Sequence, residues 1–328
     1  MPQDRLEERL STLRRLSGED AATRIPELRR ALRDRSNVAV AKAADVAAEC
    51  GDDALIPDML EVYDALFGED AKERDPLARA KESIARALRT LGHREPAPFV
   101  RGVHHVQLEP SWAKLVDTAG ALRCACAHAL VDTQLSPAAA LRELVPHLVD
   151  AITAVRADTV RAIAQIGGDE SMLLLRLKAY AGDDEAEVIG ECFTAIVERE
   201  PHDAVAFIVP FLDAGDRAVR GEAAAALALS RDPAALDALR VFLDGNLEHD
   251  LREAAIVACA ACPQPAVVEL LLDAIARGDR VLGAAAIRAL ADSRFGADAG
   301  VRDRARAVAK GQRLESAYRA AFTGATDS

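Results

Sequence analysis

Three places in the chain hold residues whose types and spacing could do chemistry. Cys259 and Cys262 form a CxxC and Cys124 and Cys126 a CxC, spacings that can serve a metal or a redox pair. A zinc site would also need a second pair of ligands at suitable spacing, which neither motif has. The seven histidines are scattered, except that His104 and His105 are adjacent and His93 precedes them by eleven residues. The third place is the segment PAPFVRGVHHVQLEPSWAKLVDTAGALR. It carries the single tryptophan, Trp112, among Arg101, His104, His105, Gln107, Glu109 and Asp117. Tryptophan with arginine is a common anchor composition in protein interfaces. Histidine with two carboxylates could instead line a pocket for a small ligand. No glycine-rich phosphate loop, GxSxG or HExxH occurs, so the residues point to no catalytic group, no metal and no cofactor.

The elements that must position these residues are helices. Half of the 328 residues are hydrophobic and 29% are charged, a folding composition, yet only 4% are aromatic. Alanine-rich sequence forms helices that approach closely, whereas strands need the β-branched and aromatic residues scarce here. Self-similarity supports this. AVRADTVRAIAQIGG from Ala154 aligns with AVRGEAAAALALSRD from Ala218 and DLREAAIVACAACPQ from Asp250. Extending the frame places anchors at Ala39, Ala80, Leu122, Val155, Val188, Val219, Leu251 and Val281, with a period that settles near 31 residues after two longer steps. Such a period holds two helices of about three turns each and two short turns.

The punctuation fits a helix pair. Gly51, Gly92 and Gly167 follow first helices as C-terminal caps, and Asp53 and Asp169 are expected to cap the helices after them. Pro137 and Pro233 open second helices, where a missing N–H costs nothing. In this frame Cys126 and Cys192 fall four residues after their anchors, and Cys50 and Cys262 eleven after theirs, in slots that other repeats fill with Ala223, Ala255, Leu91 and Ile166. All six cysteines are therefore expected to be buried packing residues with free thiols. The turn residues Asp216 and Asp279 and the anchor arginines Arg123, Arg156, Arg220 and Arg252 are explained by capping and by pairing between repeats.

Val155-Arg156 through Ile166-Gly167, Val219-Arg220 through Ala226 and Leu251-Arg252 through Ala258 resemble HEAT-like repeats of the short kind seen in phycobilisome lyases. The resemblance implies an all-α fold, a right-handed α-α superhelix, in which residues 1–35 form a capping helix pair. Residues 36–328 then form about eight helix pairs continuous with it as one domain. The first two repeats depart from the pattern, being longer and carrying Ala80-Lys81 in place of the aliphatic-arginine pair. The resemblance also implies that second helices line a concave face, where Arg101, Arg142, Arg176, Lys178 and Arg240 stand among Asp58, Glu61, Asp64, Glu143, Asp237, Glu269 and Asp273. Mixed charge of this kind suits a protein surface better than a phosphate backbone. Some helical-repeat enzymes hold a metal pair through His-Glu dipeptides, and this chain has none.

The formal charge of −12 disfavours general nucleic-acid binding, leaving only the locally basic end from Val301 to Ala321 as a distant possibility. The N-terminus lacks the apolar stretch of a secretory signal, and no uncharged apolar run approaches the ~20 residues that span a bilayer. The chain reads as cytoplasmic with no membrane partner. The function expected is a non-enzymatic scaffold for a protein or peptide partner, with Arg101, His104, His105, Glu109, Trp112 and Asp117 as candidate binding residues. The alternative is a lyase- or chaperone-like enzyme that acts on a small ligand near His104, Glu109 and Asp117. Arg101 and His104 are expected to share a face of a second helix, with Trp112 either presented at a surface or plugging the gap between a long repeat and a short one.

Overall fold

A computed structural model describes residues 2–68, 70–112, 114–245, 247–277 and 279–323. The chain divides into two compact units, Met1–Ser171 and Met172–Ser328. In the first unit the helices are α1 (Pro2–Arg15), α2 (Ala21–Leu32), α3 (Asn37–Cys50), α4 (Ile56–Ala65), the single turn α5 (Ala71–Arg74), α6 (Arg79–Thr90) and α7 (Ala97–Val103). A two-stranded antiparallel hairpin, β1 (Leu108–Ser111) and β2 (Lys114–Asp117), follows, then α8 (Gly120–Val131), α9 (Pro137–Leu144) and α10 (Thr153–Ile166). Helix α11 (Gly168–Ala181) belongs to the second unit from Met172 onward. With it are α12 (Ala186–Arg199), α13 (Ala204–Ile208), α14 (Arg217–Leu229), α15 (Pro233–Asp244), α16 (His249–Ala258), α17 (Val267–Ala276), α18 (Arg280–Asp292), α19 (Ala299–Gly311) and α20 (Glu315–Thr323). None of the described helices is long and apolar enough to cross a membrane.

The repeat frame survives in the helices. Each of the eight anchors lies near the start of a first helix: α3, α6, α8, α10, α12, α14, α16 or α18. First helices pack on first helices, α3 to α6 to α8 to α10 in one unit and α12 to α14 to α16 to α18 in the other. Alanines at the crossings allow this, with Ala43, Ala44, Ala80, Ala85, Ala162, Ala223, Ala224, Ala285 and Ala286 all fully buried. Two anchors depart from the frame: Val219 is half-buried and Val281 is half-exposed, its neighbour Leu282 taking the buried slot instead. The all-α expectation holds except for the hairpin, which no helical periodicity in the sequence marks.

Caps divide into those that formed and those that did not. Gly51 ends α3 in the left-handed region at φ 71°, and Gly92 at φ 77° follows α6. Ser136 accepts a bond from the Ala139 N–H ahead of Pro137, and Asp232 from the Ala234 N–H ahead of Pro233. Asp216 and Asp279 cap α14 and α18 as expected. Asp53 and Asp169 do not cap. Asp53 is the exposed first residue of a 3-10 turn, because its neighbour Asp52 is drawn into a buried pair with Arg24, and Asp169 already lies inside the first turn of α11. Likewise, four cysteines are buried, but Cys50 and Cys124 are only half-buried; all six thiols are free.

Gly102, on α7, is a close approach in the core of the first unit, against α4 and α8. A Cβ there would fall on the Cys126 sulfur and the Tyr63 hydroxyl, itself held by the Pro98 carbonyl at 3.2 Å. Gly102→Ala should therefore cost about 1–3 kcal/mol through overpacking, despite its better helix propensity, as measured by urea unfolding. An unchanged midpoint would contradict this packing.

Candidate functional site

The segment that breaks the repeat is rooted in a buried polar network. Lys81, on α6, and Asp75 are both fully buried, and the Lys81 ammonium lies 3.2 Å from Asp75 Oδ2. Its Nζ also donates to the Leu66 carbonyl at 3.2 Å and to Gln107 Oε1 at 2.9 Å. Gln107 Nε2 in turn donates to the Asp75 carbonyl at 2.8 Å and to Glu109 Oε1 at 2.6 Å. A charge out of water must have its donors matched in this way, since an unmatched one costs several kcal/mol. Burial pulls the Lys81 pKa below the ordinary lysine value, against the attraction of Asp75.

The six candidate residues take three different places. Glu109 faces inward: its Oε1 accepts from the Leu77 N–H at 2.7 Å, from Gln107 and from the Thr118 hydroxyl at 2.8 Å. Burial alone would raise its pKa, but these bonds outweigh burial and hold the carboxyl below its usual range. Asp117 accepts from the Gln107 and Ala119 N–H groups at 3.1 and 3.0 Å and pairs with Arg123 at 2.7 Å. His105 bonds Gln107 Oε1 at 3.2 Å and meets the Phe67 ring edge-on, its pKa lowered by burial. These three are the hairpin's foundations.

Arg101 and His104 sit elsewhere. Helix α7 ends at Val103, so His104 is its C-terminal cap and the two do not share a helical face. Arg101 pairs with Asp64 at 3.0 Å and lies 4.2 Å above the Phe67 ring. His104 Nε2 is 2.8 Å from Glu143 Oε2, with its ring beside that of the buried His147. Trp112 stands apart from all of them. It fills no gap: it is fully exposed (106%) at the turn between β1 and β2, with φ of 52°. The strand register pairs Pro110 with Leu115 and Leu108 with Asp117 on one face. Leu108, Leu115 and nearby Val106 are largely exposed there.

Sequence reasoning missed Asp75, Lys81, Arg123 and Asp150 as members of this assembly. A signal for them exists in the repeat. Asp117, Asp150, Asp183 and Asp216 stand 33 residues apart. Each accepts a backbone N–H at the entry to the following first helix: Ala119, Ile152, Glu185 and Ala218 respectively. Asp117 is thus the repeat's turn aspartate. Arg123 is almost wholly buried, bonding the His105 carbonyl at 2.9 Å, Asp117, and Asp150 Oδ1 at 3.0 Å.

The cysteine motifs hold no reactive thiolate. Burial pushes the thiols of Cys126, Cys192 and Cys259 up to about 12, and Cys124 rises as far through burial and its bond to Asp158. Among the described residues, no group of three or more His, Cys, Asp or Glu side chains is placed to hold a metal ion.

Residues 173–260 match the family model for HEAT repeats. This stretch of the second unit carries HEAT-like repeats. Within the matched region lie the Val219-Arg220 and Leu251-Arg252 repeats and α12 to α16 in full. Among solved structures, the chain is similar to the complex of CpcE and CpcF of phycocyanin lyase from Nostoc sp. PCC7120. The identity is 19%, covering 77% of this chain and 94% of that one, with a TM-score of 0.37. It is also similar to an engineered protein at 17% identity, covering 89% of this chain and 96% of that one, with a TM-score of 0.22. No curated protein matches.

Two outcomes test the network. Lys81→Met leaves Asp75 buried without its cation and should cost about 3–5 kcal/mol in urea unfolding, whereas adding Asp75→Asn should recover part of that loss. Strictly additive costs would mean that the two side chains do not act as a pair. The second concerns pH. Folded-state pKa values below the ordinary 4.5 of Glu109 and 3.8 of Asp117 mean that the unfolded chain binds protons first as pH falls. Their stabilisation is complete above the unfolded values and is lost as pH drops through the folded ones. Glu109→Gln should therefore flatten the acid limb of the stability–pH curve, and an unaltered limb would remove Glu109 from the account.

Proposed function

We propose that this HEAT-like chain is a non-enzymatic scaffold that holds another protein or peptide, with Trp112 as its anchor. The observation that carries the reading is the full exposure of Trp112 on a hairpin whose base is held by hydrogen bonds. Burying tryptophan is among the largest apolar gains a single side chain offers, and a soluble surface seldom leaves one wholly in water. The turn itself does not need it. Positive φ at the first central position of a two-residue hairpin turn favours glycine or asparagine, so a bulky residue there costs about 1 kcal/mol. The strands beneath are tied through Gln107, Glu109 and Asp117 to buried Lys81 and Arg123, so an arriving partner orders little chain on binding. Arg101, His104 and His105 lie at the root of the same segment. They support this reading as flanking polar groups and positioning residues, since a polar rim commonly surrounds an apolar anchor.

Chemistry on a small ligand finds less support. The Glu109 and Asp117 carboxylates are engaged by N–H, hydroxyl and guanidinium donors, and His104 is held by Glu143. No pair of these groups is left poised as acid and base.

The single tryptophan makes the reading measurable. Its fluorescence should be red-shifted and fully open to iodide quenching in the free chain, then shift blue and become protected on partner binding. Trp112→Gly suits the turn and should leave the melting temperature unchanged or raise it slightly, while weakening a purified partner by about thirtyfold or more, equivalent to about 2 kcal/mol. A variant that unfolds, or one that binds the partner as tightly as the wild type, would refute Trp112 as an anchor.

A further inference from the structure

A cleft in the second unit, remote in sequence from the hairpin, has the chemistry of a binding site. It lies between α15, α16, α17 and α18, encloses about 290 Å³ and has an apolar floor that includes Leu243, Ile256 and Leu270. This volume is near the lower end of small-molecule sites, which run from about 300 to 1,000 Å³. Three guanidiniums reach it. Arg277 is bound to Asp244, whereas Arg240 makes a single bond, to the Ala266 carbonyl at 3.3 Å, and Arg252 bonds the Gly245 carbonyl at 2.7 Å. Among the described residues no carboxylate lies within 4.0 Å of the Arg240 or Arg252 nitrogens, although Arg240 adds to Arg304 in holding the Glu269 carboxyl below its usual range.

Comparison with the first unit shows what is missing. Arg252 occupies the anchor slot held there by Arg123, which is paired with the turn aspartate 27 residues later, Asp150. The residue 27 after Arg252 is Asp279, but its carboxylate is turned away. It accepts from the Val281 and Leu282 N–H groups, both at 2.9 Å, and faces His249 at 3.5 Å. The cleft, lined by both Arg252 and Asp279, separates a pair that is closed in the earlier repeat.

We propose that this cleft binds a carboxylate carried on a compact apolar body, the carboxylate meeting Arg252 and Arg240 and the body covering the floor. Guanidinium forks match carboxylate geometry, and charge-assisted bonds of this kind are the strong ones. Asp273, at the rim and without a cation partner among the described residues, opposes the anion and weakens the site without closing it. The same chemistry could come from a free monocarboxylic acid or from the C-terminus of a peptide ending in an apolar residue. This site is independent of the hairpin, so its failure leaves the scaffold reading untouched.

The test is calorimetric titration of the full chain with octanoate, octanamide, acetyl-leucyl-leucine and the C-terminal amide of that peptide. The acids should saturate below about 1 mM, each at least tenfold tighter than its amide. Stronger binding of octanoate would identify a free acid as the ligand class, and stronger binding of the peptide acid a chain terminus. Arg240→Gln, checked for an unchanged melting temperature, should weaken the acids about tenfold, and Asp273→Asn should strengthen them. Equal affinity for acids and amides, no saturation by about 10 mM, or weaker acid binding in Asp273→Asn would overturn the proposal.

Discussion

Several turns of the architecture share one bond, from the basic residue near the start of a helix to a carbonyl just past the end of an earlier helical element. Lys81 makes it to Leu66, Arg123 to His105, Arg156 to Asp150 and Arg252 to Gly245, while Arg24 makes the same bond to Glu19 in the capping pair. Helix ends leave carbonyls without partners, and the helix dipole places partial negative charge there, so a cation satisfies both demands at once. Without it, each of these turns would carry an unmatched acceptor against a buried neighbour. The aspartates in the same turns do the converse task, accepting the N–H groups that open the next helix. Where both are present, cation and aspartate satisfy the turn's acceptors and donors together, and alanines at the crossings let the first helices approach closely over a core of Leu, Ile and Val.

The hairpin follows from what happens when this arrangement is stretched. In the repeat that begins at Ala80 the cation is lysine, a compact ammonium with three donors, where later repeats use a planar guanidinium. Lys81 reaches the Leu66 carbonyl, the Asp75 carboxylate and Gln107 directly, and Gln107 carries the network outward to the Asp75 carbonyl and Glu109. The polar groups that would otherwise be stranded are absorbed by a short β-ladder, whose register starts where the Thr118 N–H meets the Gln107 carbonyl at 2.9 Å. Extra residues in this segment are therefore fixed by hydrogen bonds at the base.

The helical frame was legible because period and small-residue spacing are properties of the chain itself, and the eight anchors read from Ala39 to Val281 all fall in first helices. The hairpin was not. QLEPSWAKLVD has proline within its first strand and no Asn-Gly or Asp-Gly turn, so the signals that announce a hairpin are absent. Its stability comes from Lys81 and Asp75, distant in sequence and invisible to any local pattern. The failed caps have a similar cause: Asp53 lost its role because Asp52 was claimed by Arg24, a contact between residues 28 apart. For the candidate site, the types in the segment were legible and their roles were not. Glu109 and Asp117 look like ligand-binding carboxylates by type, but the turn logic of the repeat consumes Asp117 and the hairpin's own hydrogen bonds consume Glu109.

What the repeat consumes also shows what it leaves free. A residue whose type is dictated by stacking or by turn electrostatics carries no message about a partner, and most of the charged residues in this segment are of that kind. Trp112 satisfies no bond of the network, buries no area and occupies a backbone conformation that suits it poorly. No contact within the fold offsets exposing it, and this is what supports the proposal of an anchor for a partner. The same reasoning separates Arg252 from Arg123. Both cap a preceding carbonyl, but only one has its remaining charge neutralised by the repeat's own aspartate, and the other keeps that charge beside an apolar cleft. Function in a repeat protein is therefore best sought where a position obeys the repeat's geometry but not its bookkeeping of charge and burial.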